Sequence, residues 1–289
     1  MRVLITGAGG QVASALVSLA PAGTEVRALG HRELDIADED AVMRVVREAS
    51  PEAVVNAAAY TAVDKAESER DQAFRVNAEG AGHVAAAARA SGARCIHIST
   101  DFVFDGKATQ PYKPDAPVAP LGVYGETKLE GERRVMEKSH GEALVLRTAW
   151  VYAARGQNFV RTMLRLMGER GSVKVVRDQR GSPTWASSVA AALWRAVQVP
   201  GFRGIHHWTD AGVASWYDFA VAIAEDGLAT GLLQRPAEVL PINTAEYPTP
   251  ARRPAYSVLD WSSTEQALGL RPAPWRENLK KMLGELKDA

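Results

Sequence analysis

The chain has 289 residues, 46% of them apolar, with 34 basic residues against 34 acidic ones. That length suits one large α/β domain, or a domain with a smaller lobe, and the balanced charge leaves no electrostatic footprint for nucleic acid or an anionic membrane. The single cysteine, Cys95, excludes a disulfide within the chain and points to a reducing compartment; no stretch approaches the ~18 consecutive apolar residues of a membrane-spanning helix, so a soluble cytoplasmic protein is expected.

RVLIT (2–6) is a short apolar run that ends in the Gly-rich GAGG, and QVASALVSLA after it reads as a helix. EVRALG (25–30) is a second strand. DEDAVMRVVREA (38–49) carries apolar residues at helical spacing behind Asp38, a good N-cap. AVVNAAA (53–59) is a third strand, residues 71–91 an alanine-rich helix, and ARCIHIS (93–99) a fourth strand. A Pro-rich loop leads to the helix YGETKLEGERRVMEKS (124–139), and ALVLRTAWVY (143–152) is a fifth strand. Strand and helix alternate throughout, which predicts a Rossmann-type, doubly wound parallel sheet. All seven tryptophans lie at or beyond Trp150, where segments become shorter and richer in proline. We therefore expect residues 1–150 to form a nucleotide-binding domain. Residues 151–289 should form mainly a smaller lobe with some segments returning to the sheet, VKVV (173–176) being one candidate.

TGAGGQVAS (6–14) lies between the first strand and first helix. Glycines there let the backbone approach a pyrophosphate, and the helix N-terminus offers free N–H groups and the positive end of its dipole. A Gly-rich turn alone is a weak signal, but the first βα turn of a doubly wound sheet is where nucleotides bind. Gly7 and Gly10 are the glycines of that turn, and the third place of the spacing is Ala13. The second strand ends in Gly30-His31-Arg32, where NAD sites usually carry an acidic residue. A guanidinium pairs with a 2′-phosphate, so Arg32 favours NADPH over NADH, the alternative reading being a solvated loop arginine. Asp35 and Ile36 are placed to meet adenine.

Tyr124 and Lys128 are one helical turn apart and share a face. The lysine's charge is expected to favour the phenolate, making the phenol a proton donor and acceptor near neutral pH. The preceding strand ends on Ser99-Thr100-Asp101, and buried polar groups need a partner. Thr100 and Asp101 are expected to face a ligand; the plainer alternative is that they cap the following turn.

In this order the chain carries GGQVAS, LDIAD, NAAAYTAVDKAE (56–67), VNAEG, ISTDFVFDG (98–106), VYGETKLEGE (123–132), LRTAWVY, NFVRTMLRL, VVRDQRGSPT and YPTPARRPAYSVLD. It resembles the extended short-chain dehydrogenase/reductases, and within them the dTDP-4-dehydrorhamnose reductase family. The resemblance implies NAD(P)H-dependent reduction of the 4-keto group of dTDP-4-dehydro-β-L-rhamnose to dTDP-L-rhamnose. It implies Tyr124 as proton donor, Lys128 on the nicotinamide ribose lowering the tyrosine's pKa, and Thr100 orienting the keto oxygen. It further implies Asp101 beside the sugar, Gly10, Gln11 and Val12 at the pyrophosphate, and Ala59, Tyr60 and Thr61 along the ribose and nicotinamide. Trp150 would wall the substrate pocket, and Arg253 would contact the diphosphate, with Arg252 its competitor. Phe102 stands where the family often has tyrosine. Some members hold magnesium at a dimer contact through acidic residues; the corresponding places are Ala15 and Ser187, poor ligands for a hard cation. We therefore expect no bound magnesium or other metal, and a monomer or weak homodimer. Two alternatives stay open: a reductase of another dTDP-4-keto-6-deoxysugar, and a non-catalytic NADP-binding regulatory subunit, against which Thr100, Tyr124 and Lys128 together weigh.

Overall fold

The computed structural model describes residues 1–288. Five strands alternate with helices through the first half: β1 (Arg2–Thr6), β2 (Glu25–Leu29), β3 (Ala53–Asn56), β4 (Arg94–Thr100) and β5 (Leu144–Thr148). A further strand, Gly204–His207, joins them in one parallel sheet ordered Gly204–His207, β5, β4, β3, β1, β2. β3 and β5 are buried at every position. Two helix-covered faces require this, and it is why both read as unbroken apolar runs. The chain steps from β1 to β2 on one side and then to β3 on the other, so the strand order reverses between β1 and β3.

One face of the sheet packs on α1 (Gln11–Ser18) and the Ala186–Val197 helix, pinned together where Trp194 Nε1 donates to the Leu16 carbonyl at 3.0 Å. The other face carries α2 (Glu39–Ala49) and the Ala81–Ala90 and Val123–Lys138 helices. Asp38 caps α2 by accepting from Ala41 N at 3.0 Å. A third core, around Phe219, holds together the Phe159–Arg170, Trp216–Ala229 and Trp275–Lys287 helices.

Several sequence expectations are corrected. The third strand stops at Asn56, and residues 57–61 become a loop at the carboxyl end of the sheet. The helix expected over 71–91 is interrupted by a π-helical turn, Arg75–Gly80. There the Val123–Lys138 helix comes so near that a Cβ on Gly131 would overlap the Asn77 carbonyl. The fifth strand ends at Thr148: Trp150 takes a left-handed φ of 49°, and Val151–Tyr152 pairs with Thr184–Trp185 in a separate small sheet. VKVV does not extend the main sheet; Ser172–Val176 pairs in parallel with Glu238–Ile242. The segment that does extend it is Gly204–His207.

Candidate active site

A cavity of about 730 Å³ opens over the carboxyl ends of β1, β3, β4 and β5. At one end is the Gly-rich turn. Gly7 has φ +78°, and a Cβ there would lie 2.7 Å from the Ala57–Ala58 backbone, so only glycine lets β1 and the loop after β3 come this close. Gly9, at φ +89°, faces open space, with no atom within 4 Å of where a Cβ would stand. Gly10 begins the eight-residue α1 without a side-chain cap, and Gln11 and Val12 follow it into the cavity wall.

At the mouth stands Tyr124, in the first turn of its helix. That helix is capped from another segment, the Glu67 carboxylate accepting from Val123 N at 2.9 Å. Phe102 meets the phenol ring edge-on at 5.4 Å, keeping the aromatic contact without a hydroxyl of its own. Burial pushes the Tyr124 phenol up to about 12; the Thr100 hydroxyl opposes the shift and the Asp101 charge adds to it. Thr100 does cap the turn after β4, accepting from Phe102 N at 3.2 Å, and its hydroxyl donates to Asp101 Oδ1 at 3.0 Å. Asp101 Oδ2 is buried with no hydrogen bond of good geometry among the described residues, and burial pushes this carboxyl up to about 6 although the nearby Ser257 and Thr100 hydroxyls pull the other way. The Thr148 hydroxyl, on β5 opposite Thr100, is likewise buried, unpaired and in the cavity wall. Capping and facing the cavity are thus not alternatives for the Thr100-Asp101 pair.

Lys128 lines the cavity but is held by β4. Its Nζ donates to the Ile98 carbonyl at 2.7 Å and lies 3.3 Å from His97 Nε2. The long side chain turns down onto β4, and the phenol is shifted up rather than down. The phenol is protonated at neutral pH with or without this shift, and burial alone makes it a weaker acid, so a proton donor here needs a cation brought beside it.

Trp150 closes the far side. Its indole stacks on Trp216 with centroids 3.5 Å apart and planes 4° from parallel, and a Cβ on Gly181 would come within 2.5 Å of it. Asp35, Ile36, Ala59, Tyr60 and Thr61 also line the cavity. Two predicted residues do not. Arg32 is exposed on the turn after β2, beyond the lining residues His31, Leu34, Asp35 and Ile36. Arg253 is paired with Asp64 at 2.8 and 3.0 Å, which turns it toward the short helix Val63–Ala66 rather than into the cavity. Sequence reasoning missed Asn77, whose side chain holds Tyr60 through both its N–H (2.8 Å) and its carbonyl (3.0 Å). It also missed Thr148, Trp216 and the row behind Lys128. Asn56 and Thr6 carried the same signal as Thr100, a polar residue ending an apolar strand.

A Gly-rich turn at the reversal of a parallel sheet, with Tyr124 and Lys128 at the adjoining strand end, is the architecture of a Rossmann-type nucleotide-binding protein. Comparison with known proteins narrows the class. The RmlD substrate binding domain family model matches residues 1–288. A dTDP-4-dehydrorhamnose reductase of Burkholderia thailandensis is 45% identical, over 96% of each chain. The crystal structure of a dTDP-4-dehydrorhamnose reductase from Clostridium acetobutylicum superposes with a TM-score of 0.93 at 40% identity, covering 99% of this chain and 100% of that one. That of the Bacillus anthracis reductase in complex with NADP superposes with a TM-score of 0.92 at 36% identity, covering 98% and 99%. The chain belongs to the dTDP-4-dehydrorhamnose reductase family.

Proposed function

We propose that this chain reduces the 4-keto group of dTDP-4-dehydro-β-L-rhamnose with NADPH, giving dTDP-L-rhamnose. The observation that carries this is one cavity lined by the bare Gly-rich turn at one end and by Thr100, Tyr124 and Lys128 together at the other. The cavity suits a dinucleotide: open space over Gly9 and the uncapped start of α1 fit a pyrophosphate, and the orphaned Thr148 hydroxyl offers a buried polar contact. Gly7, Gly10, Gln11 and Val12 would hold the phosphates, Asp35 and Ile36 the adenine, and Ala59, Tyr60, Thr61 and Lys128 the ribose and nicotinamide side. Glu33, the acidic residue nearest the end of β2, is turned back to accept from Gly30 N at 2.8 Å. No carboxylate from Glu33 then opposes a 2′-phosphate there, and Arg32, exposed just outside the lining beside His31, is the guanidinium that would reach it, which favours NADPH over NADH.

Bound there, NADPH supplies the hydride. Tyr124 gives its proton to the oxygen of the former keto group, so one hydride and one proton are added across one C=O bond. Thr100 orients that oxygen, Asp101 faces the sugar, and Trp150 walls it. Residues 1–150 would hold the nucleotide and 151–289 mainly the sugar. No helix among the described residues is long and apolar enough to cross a membrane; the same proposal has the chain acting in the cytoplasm as a monomer or weak homodimer.

The test is NADPH and NADH oxidation with a panel of dTDP-4-keto-6-deoxysugars, with product stereochemistry identified. Turnover should be fastest with the rhamnose precursor and NADPH, and Tyr124→Phe should cut it by ~10²-fold or more while leaving nucleotide binding in place. Faster turnover of another sugar would reassign the substrate. Tight NADP binding with no turnover on any of them would make the chain a binding subunit.

A further inference from the structure

Lys128 is fully buried beneath the cavity and anchored from below rather than by Tyr124. Behind it a polar row crosses three strands. His97 Nδ1 lies 3.1 Å from Asn56 Nδ2, and Asn56 Oδ1 accepts from the Thr6 hydroxyl at 2.6 Å. Thr6 and Asn56 are register partners between β1 and β3, and Asn56 and His97 are partners between β3 and β4. Each of the three is 1% exposed. Polar side chains fully buried in a parallel sheet, even at the carboxyl ends of β1 and β3, cost desolvation that valine or leucine would avoid, so the row calls for a purpose beyond packing.

We infer that Thr6, Asn56 and His97 are positioning residues that hold Lys128 and set the charge it carries beneath the cavity. Only the use made of that charge, a contact with the nucleotide ribose, rests on the proposed reductase activity. Asn56 Oδ1 is taken by the Thr6 hydroxyl and, at 3.3 Å, by Ala58 N–H. The amide N–H therefore faces Nδ1, and a neutral ring carries its proton on Nε2, toward Nζ. This arrangement suits a lysine amine, which has a lone pair to offer, and opposes an ammonium. A half turn of the Asn56 amide, which exchanges two groups of nearly the same shape, reverses it. Asn56 Oδ1 then accepts from Nδ1–H, Nε2 accepts from the ammonium, and Ala58 N–H keeps Thr6 Oγ1 at 3.4 Å. Asn56 and His97 are paired in both arrangements, while Thr6 Oγ1 turns from donor to acceptor and leaves its own hydrogen unpaired, so the flipped arrangement carries a cost that the bond to the ammonium must offset.

The surroundings support two charge states at Lys128. Burial, then the lysine's own charge, keeps His97 well below the ordinary histidine range, so the ring is neutral. Burial pushes Lys128 down to about 8, with Glu132 opposing. The charged and titratable groups around it are Tyr124 and Glu132 on its own helix, His97 on β4, Asp101 just after β4, and Arg147 on β5. Arg147 is committed to Glu132 by bonds of 2.8 and 2.7 Å.

The test needs neither substrate nor cofactor. Lysines labelled with ¹³C at Cε are titrated by NMR in the full chain, with Lys128→Arg assigning the Lys128 signal, and His97 ring ¹⁵N shifts report the tautomer. Asn56→Asp presents oxygen to Nδ1 in either rotamer and should raise the Lys128 midpoint by about one pH unit or more, the scale set by one buried neighbour. His97→Phe keeps the ring volume, removes the partner and should lower the midpoint by a similar amount; His97→Gln serves if the phenylalanine variant fails to fold. In the parent protein the His97 proton should move from Nδ1 to Nε2 as Lys128 loses its charge. A Lys128 midpoint unmoved in both variants, or a His97 tautomer unchanged across the Lys128 titration, overturns the inference. Absence of NADPH oxidation would overturn the proposed reaction and leave these shifts readable.

Discussion

Two strands of the sheet run into the same dipeptide. β4 ends in Thr100-Asp101 and the Gly204–His207 strand leads into Thr209-Asp210. The resemblance goes further than sequence. Both aspartates are buried, each has one carboxylate oxygen with no hydrogen bond of good geometry among the described residues, and burial pushes both up to about 6. Yet Asp101 lines the cavity beside Tyr124, whereas Asp210 does not reach it. Asp210 accepts from Trp185 N at 3.0 Å and so anchors the residue that begins the Ala186–Val197 helix. A shifted pKa and an orphaned oxygen mark a site only where the backbone topology opens onto a cleft. β4 is one strand from the reversal between β1 and β3, whereas Gly204–His207 is an edge strand two places further out.

Substitution should separate the two. Asp210→Ala leaves the partly buried Trp185 N–H without its acceptor, so it should destabilise the chain by about 1–3 kcal/mol and leave kcat/KM of the folded enzyme nearly unchanged. Denaturant unfolding and steady-state kinetics check both halves. Asp101→Asn should do the reverse, lowering kcat/KM by roughly tenfold, about 1.4 kcal/mol of transition-state stabilisation, with little loss of stability. Equal kinetic effects from both variants would erase the contrast. A pH series sharpens it. Both carboxyls titrate higher in the fold than their ordinary 3.8. The stability they contribute is present below that value and is lost as pH rises through about 6. Asparagine cannot ionise, so Asp210→Asn and Asp101→Asn should each gain stability relative to the parent as pH rises from 4 to 7. Only the Asp101 variant should also change turnover.

The difference also explains what could be read without coordinates. The sheet was legible because β1, β3, β4 and β5 are apolar runs followed by periodic helices, and Thr100-Asp101 stood out as the polar end of such a run. Gly204–His207 was not: GIHH has two histidines and too few residues to show a period, and it is a strand because β5 offers it a parallel edge. The break at Trp150 was invisible for a related reason. AWVY continues the apolar pattern of β5, and the contacts that hold Trp150 in its left-handed turn are distant in sequence: the stack on Trp216, the close approach of Gly181 and the bond from Thr184 N to its carbonyl at 3.1 Å. Lys128 lines the cavity with Tyr124, as expected from its helix face, but its bonds to β4 were not legible, because helical spacing says which face a side chain leaves from and not what a neighbouring strand offers it. The carbonyl of Ile98 and the ring of His97 are contacts across the sheet that local spacing does not encode.

The smallest expected effect concerns Arg253. Its pair with Asp64 is partly exposed on both sides, 26% and 40%, and such pairs contribute from nothing to about 1 kcal/mol. The Arg253 charge, its nearest hydrogen-bonding partner, holds the Asp64 carboxyl below the usual carboxylate range. If the pair is only a clasp between the Val63–Ala66 helix and the C-terminal region, Asp64→Ala and Arg253→Ala should cost the same small amount of stability and change KM alike. If the guanidinium instead swings to a diphosphate, as the family resemblance implies, then Asp64 competes with the substrate for it. Arg253→Ala would then raise KM for the dTDP-sugar by roughly tenfold, the worth of one charge-assisted contact. Asp64→Ala would leave KM unchanged or lower it, because the competitor is gone. KM values for the two variants, moving together or apart, decide whether Arg253 belongs with Asp210 among the structural contacts or with Asp101 in the site.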